Sequence, residues 1–290
     1  MKWEDRGRSK NLEDRRASAG PGRAVGGGAI PLGIGGIILV LVISAVTGVD
    51  IFSLLGLGSG AGTGTTTIAP PATQQSLDAE EEQVRFVSFV LDDVQGFWQD
   101  TFQRSSIQYP EARLVLYRDA VQSGCGVAPS AAGPFYCPTD QRVYLDLSFY
   151  DELHARYGAP GDFAQAYVLA HEVGHHVQNV LGVLAESQRI QQTQPGRASQ
   201  ASVATELMAD CYAGVWAAHA SRTGVMERGD LEEGLRAAAA VGDDTLAQRT
   251  GRIPNQETFT HGSASQRQQW FRTGFDTGDP NACDTFAVGF

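Results

Sequence analysis

An α+β fold is predicted on three observations. Two short stretches rich in β-formers, residues 112–120 and 142–150, lie in the middle of the chain. Stretches with apolar residues at helical spacing dominate after them. Strands that precede helices within one domain, rather than alternating with them, point to segregated α and β parts.

The 290-residue chain opens on a basic head. Residues 1–24 carry seven Lys or Arg against four acids, and both lysines of the chain, Lys2 and Lys10, lie there. The chain as a whole has net charge −11, so everything after the head is strongly acidic. That argues against nucleic-acid binding, which needs Lys and Arg to neutralise phosphates. From Ala24 to Val49 there is no charged residue. About 20 apolar residues at 1.5 Å rise cross a hydrocarbon layer of about 30 Å, so a transmembrane helix is predicted over 25–49. Basic residues before the span place residues 1–24 as a cytoplasmic tail. The topology expected is single-pass in a bacterial cytoplasmic membrane, with the body of the chain outside. Residues 50–75, which include "GSGAGTGTTTIAPPATQQ", read as a flexible linker. The folded domain is expected over 76–290.

Within that domain, "SLDAEEEQVRFVSFVLDDVQGFWQDTF" opens with acids, as a helix N-terminus prefers. It puts Val87, Val90, Leu91, Val94, Phe97 and Trp98 on one helical face. Residues 112–120 follow as a strand. In residues 142–150, Val143, Leu145, Leu147 and Phe149 alternate with Tyr144, Asp146 and Ser148, which predicts a second strand. Helices are predicted over 162–184 and 199–222, with shorter ones at "DDTLAQRTG" and around "SQRQQWFRTGF".

The four cysteines, Cys125, Cys137, Cys211 and Cys283, have no paired CxxC spacing of the kind a zinc cluster uses. An even count outside the cytoplasm predicts two disulfides, with three pairings open. Cys125 and Cys137 bracket a Gly/Pro/Ala-rich loop that a local bridge would staple, which leaves Cys211 with Cys283.

The chemistry concentrates in "AHEVGHHVQN", residues 170–179. On a helix His171 and His175 lie one turn apart on the same face and can close on one ion. Glu172 sits beside them without ligating and is placed to act as general base toward a metal-bound water. A catalytic zinc needs a third protein ligand and an open fourth position. Glu206 in "TELMAD" is the candidate, on the next predicted helix. Asp210, one turn further, can accept a hydrogen bond from the far nitrogen of His171 and fix its orientation. Both acids interrupt an Ala-rich, apolar helix where unpaired acids would be costly. His176 points about 100° away and is expected to pack rather than ligate; His154 and His219 read as ordinary residues. Gly174 inside the helix costs about 1 kcal/mol relative to Ala, so something is expected to approach closely there. An oxyanion donor is also needed. His261, Tyr212 and Arg267 are the candidates, with His261 preferred because His-Gly-Ser opens a loop before a helix.

Several blocks in order carry a wider likeness: "WEDRGRSKNLEDRR", "GGGAIPLGIGGI", "GPFYCPTDQRVYLDLSFYDEL", "HEVGHHVQN", "ELMADCYAGVW" and "THGSASQRQQWFRTGF". On these the chain resembles a bacterial family of membrane-anchored HExxH neutral zinc metallopeptidases. The resemblance implies a zincin-like fold, with His171 and His175 as ligands to Zn2+, Glu172 catalytic and Glu206 the third ligand. The function expected is hydrolysis of peptide bonds in a peptide or protein substrate by a zinc-activated water. An extended substrate would pair with the edge of strand 142–149. The alternative is a catalytically silent zinc-binding scaffold module at the cell envelope, against which the intact Glu172 argues.

Overall fold

The computed structural model describes residues 1–18 and 73–287. The predicted transmembrane helix over 25–49 and nearly all of the linker lie outside the described residues. Among the described residues no helix is long and apolar enough to cross a membrane.

A four-stranded sheet has the order β1 (Leu12–Asp14), β2 (Arg113–Tyr117), β6 (Arg142–Asp146), β5 (Phe135–Cys137). The first three strands are parallel and β5 is antiparallel to β6. A hairpin of β3 (Ala120–Ser123) and β4 (Gly126–Pro129) stands beside it. The helices are α1 (Gln74–Ala79), α2 (Glu81–Arg104), α3 (Ser148–Ala155), α4 (Asp162–Val180), α5 (Val183–Thr193), α6 (Ala198–Arg222), α7 (Asp230–Ala240), α8 (Asp243–Arg249) and α9 (Ala264–Thr277). This is the mixed α+β architecture expected, with helices gathered on one face of the sheet.

Periodicity accounts for that arrangement. Val87, Val90, Leu91, Val94, Phe97 and Trp98 of α2 are all buried, and with α4 they cover Leu114, Leu116, Val143 and Leu145 of the sheet. The opposite face, with Val115, Tyr117 and Tyr144, is closed by the β3–β4 hairpin and Phe135. Both predicted disulfides are present: Cys125–Cys137 ties the hairpin tip to β5, and Cys211–Cys283 ties α6 to the C-terminal segment. Close helix approach is built on glycine. A Cβ on Gly174 of α4 would sit 3.0 Å from the carbonyl oxygen of Ala209 on α6. At Gly274 of α9 it would sit 1.9 Å from that of Cys211. The expected close neighbour of Gly174 is therefore the helix that carries Glu206.

The structure corrects two expectations. The strand predicted over 142–150 stops at Asp146. The Asp146 carboxylate accepts hydrogen bonds from the Ser148 backbone N–H and hydroxyl, a turn that starts α3, so Leu147 and Phe149 belong to a helical segment. Moreover β6 has a neighbour on each side. Both its edges are closed to a substrate, and among the described residues the outer edges of the sheet belong to β1 and β5.

The second correction concerns the head. The domain does not begin near Ser76, because residues 1–18 are part of it. Leu12–Asp14 pairs in register with Leu114–Leu116. Trp3 packs on Phe86 and Phe89, with ring centroids 5.6 and 6.5 Å away. The Met1 amino group lies 2.7 Å from Asp162, the first residue of α4. The physical reason is β2: its apolar residues are buried on both faces, and its outer edge is satisfied by the head.

Candidate active site

His171 and His175 lie one turn apart on α4, and Glu206 faces them from α6 across the contact that Gly174 permits. The Glu206 carboxylate is 3.3 Å from His171 Nε2 and 3.5 Å from His175 Nε2. One ligand atom from each of the three residues lies within 4.8 Å of the others. Charge-assisted hydrogen bonds would be about 2.7–2.9 Å, and both distances exceed that. In a tetrahedral site with bonds of about 2.0–2.1 Å, ligand atoms are separated by about 3.3–3.4 Å. The spacing and the N, N, O donor set therefore fit a zinc ion with three protein ligands.

The two histidines are held differently. His171 Nδ1 is 2.9 Å from the fully buried Asp210 Oδ1. Asp210 in turn accepts from Arg267 Nε at 2.8 Å and Nη2 at 2.9 Å, and from the Tyr167 hydroxyl. Burial alone would raise the Asp210 pKa; Arg267 and His171 outweigh it and hold the carboxyl below its usual range. His175 Nδ1 donates instead to Gln178 Oε1 at 2.9 Å, and Gln178 Nε2 donates to the Thr205 carbonyl at 2.6 Å. That amide links α4 to the residue before Glu206.

Burial disfavours charge on His171, but Asp210 and Glu206 overcome this and lift its pKa to about 9. A field that favours a proton there also favours a metal cation. Glu206 is driven the other way: burial would raise its pKa, yet His175 and His171 keep it well below the usual value. Glu172 has a raised pKa, mainly from burial, with the histidines opposing and Glu206 reinforcing the shift.

His171, Glu172, His175 and Glu206 line one cavity of about 380 Å³, with His261, Arg267, the β5 residues Phe135 and Tyr136, and an apolar wall that includes Phe149, Tyr157, Val168 and Leu246. His261 is placed by Asp243 at the start of α8. The Asp243 carboxylate accepts from the backbone N–H of Thr260, His261 and Gly262, and lies 3.1 Å from His261 Nδ1. Burial lowers the His261 pKa, but Asp243 and then Glu206 raise it by more.

Of the three oxyanion candidates, only His261 keeps a nitrogen free for the cavity. Tyr212 is buried against Trp98 and does not line it. Arg267 lines it, but its guanidinium is committed to Asp210 and the Val241 carbonyl. His176 is fully buried, with Nε2 donating to the Pro110 carbonyl and Nδ1 accepting from the Tyr136 hydroxyl, so it packs and does not ligate. His219 lies against the Phe97 ring and His154 is exposed. Sequence reading missed Tyr167 and Gln178, although helical spacing was a signal: they stand four residues before His171 and three after His175. No local pattern links Arg267 or Asp243 to the site.

A family model described as "Putative neutral zinc metallopeptidase" matches residues 1–286. The chain is 44% identical over 295 residues to "Uncharacterized protein YpfJ" of Escherichia coli (strain K12), covering 99% of both chains. It is 49% identical over 191 residues to "Uncharacterized protein Rv2575" of Mycobacterium tuberculosis, covering 62% of this chain and 64% of that one. No solved structure matches. With a match that runs from the head strand past the helix carrying Arg267, the chain belongs to the neutral zinc metallopeptidase family.

Proposed function

We propose that this protein is a membrane-attached zinc metallopeptidase that hydrolyses peptide bonds in a peptide or protein substrate. One observation carries the reading: two imidazole nitrogens converge on the Glu206 carboxylate, at 3.3 and 3.5 Å from its two oxygens, beside a buried Glu172 in a cavity. His171, His175 and Glu206 would hold the ion. Bound there, zinc would lower the pKa of a water to about 7 and polarise the scissile carbonyl. Glu172 takes the proton from the attacking water and delivers it to the leaving amine, and its raised pKa suits both transfers. His261 donates to the developing oxyanion from Nε2. Because Nδ1–H is directed at the Asp243 carboxylate, Nε2 carries a proton only in the imidazolium form, which the raised pKa favours.

An extended peptide backbone would lie along the free edge of β5, whose Phe135 and Tyr136 line the cavity. The uncharged stretch from Ala24 to Val49 supports attachment to a membrane. A module that only bound zinc would have no use for a general base in this place.

The test is Glu172→Gln in the full chain, assayed on casein and a peptide library. Turnover is expected to fall about 10²- to 10⁴-fold with zinc content unchanged. Undiminished cleavage by the zinc-loaded variant would remove Glu172 from the mechanism.

A further inference from the structure

The basic head was expected to sit across a membrane from the catalytic domain, yet it completes the sheet of that domain. A helix crossing once between Ala24 and Val49 would put about 30 Å of hydrocarbon between β1 and β2. The contacts between them are extensive. The backbone of Leu114 donates to Asn11 O at 2.9 Å, and Arg15 donates to Leu116 O at 2.8 Å. Arg16 is 2% exposed, with one nitrogen 2.7 Å from Glu80 and others on Asp14. A guanidinium buried to that extent is stable only with its partners in place. Glu80 also receives Arg118 of the domain, so the head closes a network that the domain cannot close alone.

The head's charges have a second explanation besides retention in the cytoplasm. Arg8 pairs with Glu81, Lys10 with Glu111 at 3.0 Å, and Arg16 with Glu80. In the other direction, Asp5 takes Arg85 at 2.6 Å and Glu13 takes Arg142 at 3.1 Å. Three of the head's basic residues are thus matched to carboxylates of the domain, and those three are no longer a free signal for orientation. The described ends on either side of the intervening stretch both lie a short way along the chain from the Arg16–Glu80 contact. Ser18 follows Arg16 closely, and Thr73 caps α1, whose six residues span about 9 Å before Glu80.

We infer that residues 1–18 and the catalytic domain lie on the same side of the membrane, the head serving as the docked edge strand of the peptidase sheet. The occupant of the β2 edge is this chain's own N-terminal segment, and any insertion of the stretch between begins and ends on that side. The two disulfides place the shared side outside the cytoplasm. The inference does not depend on the catalytic reading.

The chain supplies its own probe, because its only lysines, Lys2 and Lys10, are in the head, and Lys10 is 75% exposed. The full-length protein in spheroplasts with a sealed cytoplasmic membrane is treated with a membrane-impermeant amine-reactive reagent. A second protein carries Lys2→Arg, Lys10→Arg and Ile253→Lys, which moves the lysine to a domain position that is 93% exposed. Labelling is read by peptide mass spectrometry at residues 2, 10 and 253, before and after lysis. The expected result is that both proteins are labelled before lysis. Protection of both until lysis would overturn the placement of that shared side outside the cytoplasm. Labelling of one before lysis and loss of that labelling in the other would overturn the inference.

Discussion

His171 and His175 occupy equivalent places in one motif, yet the protein holds them by opposite means. Behind His171 stands a buried, charged cluster of Asp210, Arg267 and Tyr167. Behind His175 stands a neutral amide, Gln178, anchored to a backbone carbonyl. An ionised partner strengthens an imidazole as a ligand and biases the site toward a cation, whereas an amide fixes ring orientation with little change in charge. The charged side also depends on α9, through Arg267, while the neutral side is local to α4 and α6. The difference teaches that the His171 support is global and costly to break, and the His175 support local and mild.

The largest effect expected from that contrast is on stability. Arg267→Met leaves Asp210 buried without its cation and is expected to cost about 3–5 kcal/mol. For a domain of this size that corresponds to a fall of roughly 10 °C in Tm. Thermal unfolding of the chelator-treated protein measures it without zinc binding interfering. A Tm within a degree of wild type would mean that Asp210 does not need Arg267.

The pH profile sharpens the comparison with two other groups that line the cavity. Glu172 must be deprotonated to act, so kcat/KM should rise as pH climbs through its raised pKa, giving the acid limb. His261 must be protonated to donate from Nε2. Its folded pKa lies above 6.5, so its contribution is full below that value and is lost as pH climbs through the raised one. His261→Gln should lower kcat about 10²- to 10³-fold and remove the alkaline limb. An alkaline limb that persists in the variant would assign it to another group.

The smallest effects separate the two histidine supports directly. Asp210→Asn should weaken zinc binding about 10- to 100-fold. Gln178→Met removes two neutral hydrogen bonds of about 0.5–1.5 kcal/mol each, of which only one reaches an imidazole, and should weaken it about tenfold or less. Competition with a chelator ranks the two. A larger loss for Gln178→Met would reverse the contrast.

What could be read in the chain follows how local the physics is. His171, Glu172 and His175 share one turn of helix, so their geometry was legible from spacing. Glu206 and Asp210 were legible because acids inside an Ala-rich helix need a reason to be there. Gly174 announced the helix contact that brings the two groups together. Arg267 stood among the oxyanion candidates, whereas its guanidinium holds Asp210, 57 residues away, a partner that nothing near Arg267 in the chain reveals. Residues 147–150 alternated like a strand, but the Asp146 carboxylate accepts from the Ser148 backbone N–H and turns the chain into a helix there, a side-chain effect that periodicity does not contain. The head misled for a different reason. Its charge has a local explanation in membrane orientation, and its partners Glu80, Glu81 and Glu111 become visible only when β1 pairs with β2.

The central claim is that α4 and α6 jointly hold one zinc ion. It is tested most directly by metal analysis of the purified full-length chain beside Glu206→Ala, with thermal unfolding of both after chelation as the check on folding. One zinc per chain in the wild type is expected, lost in the variant while the chelated proteins unfold at similar temperatures. Stoichiometric zinc retained by a folded Glu206→Ala protein would contradict the account.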